Sequence, residues 1–420
     1  MNTIFSRRDF IKFLGISAVF TFTPNIAKAA SIPHIVVVGG GFAGATCAKY
    51  LKMWGGSTVD VTIIETNSTY VSPILSNLVL NGQKNTSALS FDYVNYANKY
   101  SINIINKSVS DVNSTKKTVT LDDSTVLDYD KLVLAPGIDF IKTNDYDIDE
   151  VPHAWQAREQ ITLLKTKIDS MVDGDDFVMS IPKAPFRCPP GPYERACVVA
   201  DYLKNTKGFS NSQVIVLDEN PKIIVEENTF STAFNTYGVD YRPNSVVTNV
   251  NSDTKVISYT ENNISSEVVS GKVLNVIPNQ KAAPIIFTVG VNSGNWAPIN
   301  PLSYESTIKD DIHIIGDSQG TGQPKAGHIG NSEAKICADA ILRTLNGLSP
   351  DSSPKTNSAC YSPTSKTEAS WLTAVYKYDA NTNSMVSANT AVYPAAGSPS
   401  SSNYNKMFDW AGNLFADTFS

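Results

Sequence analysis

Gly39-Gly40-Gly41-Phe42-Ala43-Gly44 sets Gly39, Gly41 and Gly44 in the spacing G-x-G-x-x-G. Backbone N–H groups at such a turn approach a pyrophosphate closely, and the helix that follows presents its positive end to it. Glu65 lies 21 residues beyond Gly44, where a carboxylate would accept ribose hydroxyls. The second constellation is sulfur. Cys188 stands in a stretch, Pro182 to Glu194, that holds five prolines and one glycine, and Cys360 stands in Ser358-Ala359-Cys360-Tyr361-Ser362-Pro363. These two are either a functional pair or a purely structural disulfide. Cys47, Cys197 and Cys337 fall in apolar helical runs and read as core.

The elements that must hold these residues fix the fold class. His34–Val38 is a β-branched strand that runs into the glycines, Ala45–Leu51 reads as a helix, and Val59–Ile64 is a second strand ending at Glu65. This is the strand–turn–helix context that the glycine motif requires. Lys131–Leu134 leads into Ala135-Pro136-Gly137, and Ile312–Ile315 leads into Gly316-Asp317. In flavoproteins with two dinucleotide-binding domains, such a Gly-Asp sets its carboxylate on the ribityl chain of FAD; otherwise Asp317 is a helix N-cap. A second β-α-β unit runs from Phe177–Ile181 through a helix near Tyr193–Leu203 to Val214–Asp218, with the proline stretch as its first turn. Proline has no N–H to offer a pyrophosphate, so this half keeps the fold without a nicotinamide site. The expectation is an α/β fold of two Rossmann-like dinucleotide-binding domains with a C-terminal interface region. Residues 30–142 and 290–345 form the FAD-binding domain, 143–289 the second domain, and 346–420 the C-terminal region that carries Cys360. Leu348–Ser358 and Ala395–Ser402, rich in Ser and Pro, read as exposed connections.

Composition narrows the function classes. A chain of 420 residues, 42% hydrophobic and 18% charged, is globular and too long for one core. A formal charge of −6 offers no basic field for nucleic acid, and four histidines leave little for metals. The chain opens Ser6-Arg7-Arg8-Asp9-Phe10-Ile11-Lys12, continues apolar to about Phe22, and reaches Ala27-Lys28-Ala29. This reads as a twin-arginine export signal cleaved near Ala29, with the periplasm as destination. Losing residues 1–29 removes four cations and one anion, so −6 becomes −9. The uncharged stretch Phe13–Ile26 is short of the ~20 residues that a membrane-spanning helix needs.

Phe186-Arg187-Cys188-Pro189-Pro190-Gly191-Pro192-Tyr193-Glu194-Arg195 resembles the signature loop of the flavoprotein subunit of flavocytochrome c sulfide dehydrogenase. The likeness continues at Pro152-His153-Ala154-Trp155, Ile315-Gly316-Asp317, Pro324-Lys325-Ala326-Gly327, Cys360-Tyr361-Ser362 and Asp417-Thr418-Phe419, in order along the whole mature chain. Sulfide:quinone oxidoreductase is the related, membrane-associated family. The resemblance implies a redox-active disulfide, Cys188–Cys360, over the flavin, with Cys360 nearer the ring. Hydrosulfide attacks it, leaving a persulfide on one cysteine and a thiolate on the other; two electrons pass to FAD, and sulfur leaves as the element or as polysulfide. The resemblance makes Glu194 the acid/base, against a plain carboxylate in a helix's first turn. It places Lys325, and a helix starting near Gly327, as positive charge at the flavin, against a merely solvated lysine. It also implies a separate c-type cytochrome subunit as electron acceptor, since the chain has no C-x-x-C-H of its own. Where the family's best-known members tether FAD through a cysteine, Tyr70–Asn77 has Pro73, so FAD is expected to be non-covalent.

Two further readings share these motifs: a sulfide:quinone oxidoreductase, and an accessory thiol–disulfide flavoprotein that acts on a sulfur-carrier protein. Met407, Phe408, Trp410, Ala411, Leu414, Phe415 and Phe419 could form one apolar face. Lys406 stands against Asp409 and Asp417 there, which suits a core or subunit-docking helix better than a membrane surface.

Overall fold

A computed structural model of the chain describes residues 32–156, 158–262, 264–388 and 398–420. The expected twin-arginine signal, with its expected cleavage near Ala29, lies outside the described residues.

The β-branched run His34–Val38 becomes the central strand of a five-stranded parallel sheet, buried on both faces as such strands require. Asp60–Ile64 pairs on one side and Lys131–Leu134 on the other, with Asn103–Ile105 and Ile312–Ile314 at the edges. Helix α1, Phe42–Gly55, starts directly after the glycines. A second parallel sheet has the order 240–242, 214–218, 177–181, 273–276. Its crossover helix α2, Gly191–Asp201, is buried along its whole length, which places Glu194 and Arg195 in the interior. Two parallel sheets with crossover helices make the chain an α/β protein of the Rossmann-like kind. The antiparallel pair Ile138–Ile141 and Asn279–Ala282 lies between the two strand sets in sequence.

Helix α3, Gly327–Leu345, packs along α1, and both begin at the end of the first sheet where its strands finish. A three-stranded antiparallel sheet follows: Lys355–Pro363, Ala369–Asp379 and Ser384–Ser387. Here the expectation of an exposed connection through Ser358 is corrected. Thr356 and Ser358 are buried in the first strand, and Cys360 sits on it opposite Leu372. Small polar side chains make this strand look like a loop, but they are satisfied internally: the Thr356 hydroxyl accepts from Gln323 and the Ser358 carbonyl from Thr373.

Helix α4, Ser401–Phe419, is capped by Ser400 Oγ, which accepts from the Asn403 N–H at 3.2 Å. Tyr404, Met407, Ala411, Leu414 and Thr418 recur at three- and four-residue spacing and are buried. Fully burying a side chain such as Met407 contributes roughly 1.5–3 kcal/mol. The apolar face seen in the sequence is therefore turned onto the core: Phe419 stacks on Phe91 and Tyr70, with centroids 4.6 and 5.4 Å away. Asp417 accepts from Tyr50, Asn331 and Lys335 at 2.6, 2.8 and 2.8 Å, so the tail clasps α1 and α3 together. Among the described residues, no helix is long and apolar enough to cross a membrane.

Candidate active site

Two cavities meet at the carboxyl ends of the first sheet. The larger, about 640 Å³, is lined by eight of the residues that the sequence singled out: Gly39, Gly41, Glu65, Ala135, Pro136, Gly137, Gly316 and Asp317. Gly44 acts differently, through close packing. A Cβ there would lie 1.9 Å from the Gly39 carbonyl oxygen, so no other residue lets α1 start so near the strand. Gly39 itself has φ +100°, and a Cβ on it would reach within 2.4 Å of the Ala135 carbonyl oxygen. Glu65 braces the turn by accepting from the Gly40 N–H at 2.9 Å. Asp317 faces the cleft without a hydrogen bond from any described residue, and burial raises its pKa above the ordinary carboxylate value. A glycine turn at a helix start, a braced carboxylate and a second carboxylate open for a hydroxyl fit the pyrophosphate and sugar of FAD.

Lys325 is not at the cleft wall. It is buried, its Nζ donates to the Gln319 carbonyl at 2.6 Å, and it lies 3.6 Å from the centre of the Trp296 ring. The solvated alternative is excluded, and burial draws its pKa down to about 8. What faces the cavities instead is the start of α3. Ala326 and Gly327 line both, and the helix has no side-chain cap there, so its positive end is directed at their junction.

The smaller cavity, about 80 Å³, brings together Cys188, Cys360 and Glu194. Both cysteines are thiols here. Three buried elements converge to place them. Cys188 has φ +57°, uncommon for a side-chain-bearing residue, and is pinned by its N–H donating to the Lys325 carbonyl at 2.7 Å. Gly191 follows because a Cβ there would meet Cys188 Sγ at 2.9 Å. Cys360 is held through the next strand residues: Glu226, buried, accepts from Ser362 at 2.9 Å and Ser370 at 2.6 Å. His328 Nδ1 accepts the Ala359 N–H at 3.0 Å and the Trp410 indole N–H at 3.4 Å.

Glu194 sits in the first turn of α2 but is no surface carboxylate; it is only 8% exposed. Asn77 Nδ2 donates to its Oε1 at 3.0 Å and to the Gly191 carbonyl at 3.0 Å. Burial raises its pKa to about 8, so the carboxyl holds a proton at neutral pH. Arg195 secures the wall: it donates to Asn77 Oδ1 at 3.0 Å, Asn275 Oδ1 at 2.9 Å, and the carbonyls of His153 and Ala154 at 2.9 and 2.6 Å. Burial pushes the Cys360 thiol up to about 12, with the Glu226 charge adding to it, and raises Cys188 well above its ordinary value. Neither is a thiolate at neutral pH.

Sequence reasoning missed Asn77, Arg195, Glu226, His328 and Trp410. Arg195 carried a signal, since a Glu-Arg pair inside a largely apolar helix needs internal partners. The others are joined only by the fold.

In the second sheet the proline turn has its free donors committed. The N–H groups of Lys183, Ala184 and Arg187 go to Asn279, Asn220 and Gln280 at 2.8, 3.0 and 2.8 Å. Asp218, at the strand end, accepts the hydroxyls of Tyr193 and Tyr241 at 2.8 Å each.

Comparison with known proteins agrees with this architecture. Residues 33–171 match the pyridine nucleotide-disulphide oxidoreductase family, so the fold and cleft define a flavin-type oxidoreductase. Residues 161–278 match the family described as sulfide dehydrogenase [flavocytochrome c] flavoprotein chain, central. The fold is shared with the sulfide:quinone oxidoreductase from the hyperthermophilic bacterium Aquifex aeolicus, at TM-score 0.77 and 14% identity over 92% of each chain. It is shared also with NDH2 from Plasmodium falciparum, at TM-score 0.69 and 10% identity over 92% of this chain and 97% of that one. The NAD-dependent persulfide reductase from A. fulgidus gives TM-score 0.60 and 14% identity over 92% and 77%.

Proposed function

We propose that the chain is the flavoprotein of a sulfide dehydrogenase, which oxidises hydrosulfide through a Cys188–Cys360 disulfide and passes the electrons to a c-type cytochrome in the periplasm. The observation that carries this reading is the meeting of Cys188, Cys360 and Glu194 in a small pocket. That pocket adjoins the dinucleotide cleft at Pro73, Arg187, Ala326 and Gly327. FAD, when bound in the cleft by Gly39, Gly41, Glu65, Ala135, Pro136, Gly137, Gly316 and Asp317, with Gly44 setting α1 close to the strand, supplies a two-electron acceptor that can release electrons singly.

The reactive form of the pair is the disulfide. Thiols with such raised pKa values are poor nucleophiles, whereas a disulfide reacts by access and strain rather than by its own ionisation. Hydrosulfide attacks one sulfur; the Cys–Cys bond breaks, a persulfide bond forms, and the other cysteine leaves as a thiolate. Burial disfavours that thiolate, and Glu194, protonated up to about pH 8, is placed to give it a proton. Arg195 and Asn77 hold the carboxyl in position. The proline turn and Asp218, their polar groups engaged, leave the second sheet without a nicotinamide site.

The acceptor is tested by turnover with sulfide and either a c-type cytochrome or a soluble quinone. Faster cytochrome reduction is expected; faster quinone reduction would move the chain to the sulfide:quinone oxidoreductase reading. Exclusive reduction of a protein-bound disulfide would favour the sulfur-carrier reading. Pro73, on the wall shared by both cavities, cannot form a thioether, so acid precipitation is expected to release the flavin into the supernatant. Flavin remaining with the precipitate would contradict non-covalent attachment.

A further inference from the structure

Among the described residues, Arg187 is the charged side chain that lines both the sulfur pocket and the dinucleotide cleft. Its backbone is fixed, because its N–H donates to Gln280 Oε1 at 2.8 Å and the next N–H to the Lys325 carbonyl at 2.7 Å. In its guanidinium, which acts electrostatically on Asp317 across the cleft, Nη2 is buried and has no hydrogen-bond partner. Trp155, whose Nε1–H is likewise buried without a partner, lines the same pocket. The neighbouring cations are committed. Arg195 is spent on Asn77, Asn275 and two carbonyls, and Lys325 Nζ on the Gln319 carbonyl. A buried charged donor left without an acceptor costs free energy unless a ligand completes it, and the complement of a guanidinium is an anion.

We propose that Arg187 is a catalytic residue, which binds the sulfur anion at the seam between the pocket and the cleft. This rests on the sulfide-oxidising reading given above. In the exchange step, hydrosulfide brings one negative charge, one S–S bond breaks and one forms, and the charge departs on a cysteine thiolate. A cation that faces both ends of this transfer stabilises the charge throughout, where a neutral donor would not. Arg187 also favours the anionic form of Cys188, in opposition to Glu194.

The test uses the reduced holoprotein and two alkylating agents of similar size, anionic iodoacetate and neutral iodoacetamide. Rates at Cys188 and Cys360 are read by peptide mass mapping. The ratio of the two rates cancels thiolate fraction and pocket access, and reports the attraction for an anion. In R187Q that ratio is expected to fall about tenfold, while R187K retains most of it. Equal ratios in the wild type and R187Q, whether or not flavin is retained, would overturn the proposal. Should sulfide fail to reduce the wild-type flavin, the functional reading falls, whereas the alkylation ratio still reports whether Arg187 draws anions to the pair.

Discussion

Cys360→Ser is expected to lower sulfide turnover by at least about 10³-fold while leaving a folded, flavin-binding protein. The serine hydroxyl cannot form the disulfide, and Cys188 alone is a half-buried thiol whose pKa is raised well above its ordinary value. Nothing in the variant can accept a sulfur atom. The fold should survive, because the strand is held by its neighbours: the Ala359 N–H on His328 and the Ser362 hydroxyl on Glu226. The visible spectrum of the purified variant, read beside steady-state sulfide turnover, checks both halves of this expectation. Turnover within a few-fold of wild type would remove Cys360 from the chemistry.

Glu194→Gln is expected to cost about 10²-fold in turnover near neutral pH, the range typical of losing a positioned acid. Glutamine still accepts the Asn77 amide but has no proton to give. The wild-type rate should decline as pH passes about 8, where the carboxyl ionises, and the glutamine variant should lack that limb. Stability carries the same signature. The folded-state pKa is raised from 4.5 to about 8, so above 4.5 the folded chain keeps a proton that the unfolded chain releases. The stabilisation is full below 4.5, declines with rising pH and is gone by about 8. The difference in Tm, wild type minus variant, should therefore shrink across that window. A constant difference would mean that Glu194 is ionised throughout and serves as no acid.

The dinucleotide half was legible in the sequence because its geometry is local. Gly39 and Gly44 are demanded by atoms within one turn and one neighbouring strand, and Glu65 stands where the second strand delivers it. The burial of Cys47, Cys197 and Cys337 was legible from the apolar helical runs that hold them. The strand that carries Cys360 was not. Its buried Thr356, Ser358 and Ser362 imitate loop composition, and only partners on distant elements, such as Gln323 and Glu226, make burial affordable. The burial of Lys325 was not legible for a related reason, since its position beside Gly327 says nothing of the Trp296 ring that it packs on. Asn77 joins Glu194 and Arg195 across more than a hundred residues, a contact that no spacing encodes. The role of Asp417-Thr418-Phe419 also emerges only in space, where the tail ties α1 to α3.

The central claim is that sulfide reduces the flavin through the cysteine pair. An anaerobic titration of the mature holoprotein with sulfide, followed at the flavin band near ~450 nm, tests it most directly. The account predicts stoichiometric bleaching in the wild type and none in the Cys360→Ser variant. An unbleached wild-type flavin, with the Cys188–Cys360 disulfide shown intact by mass mapping, would contradict it.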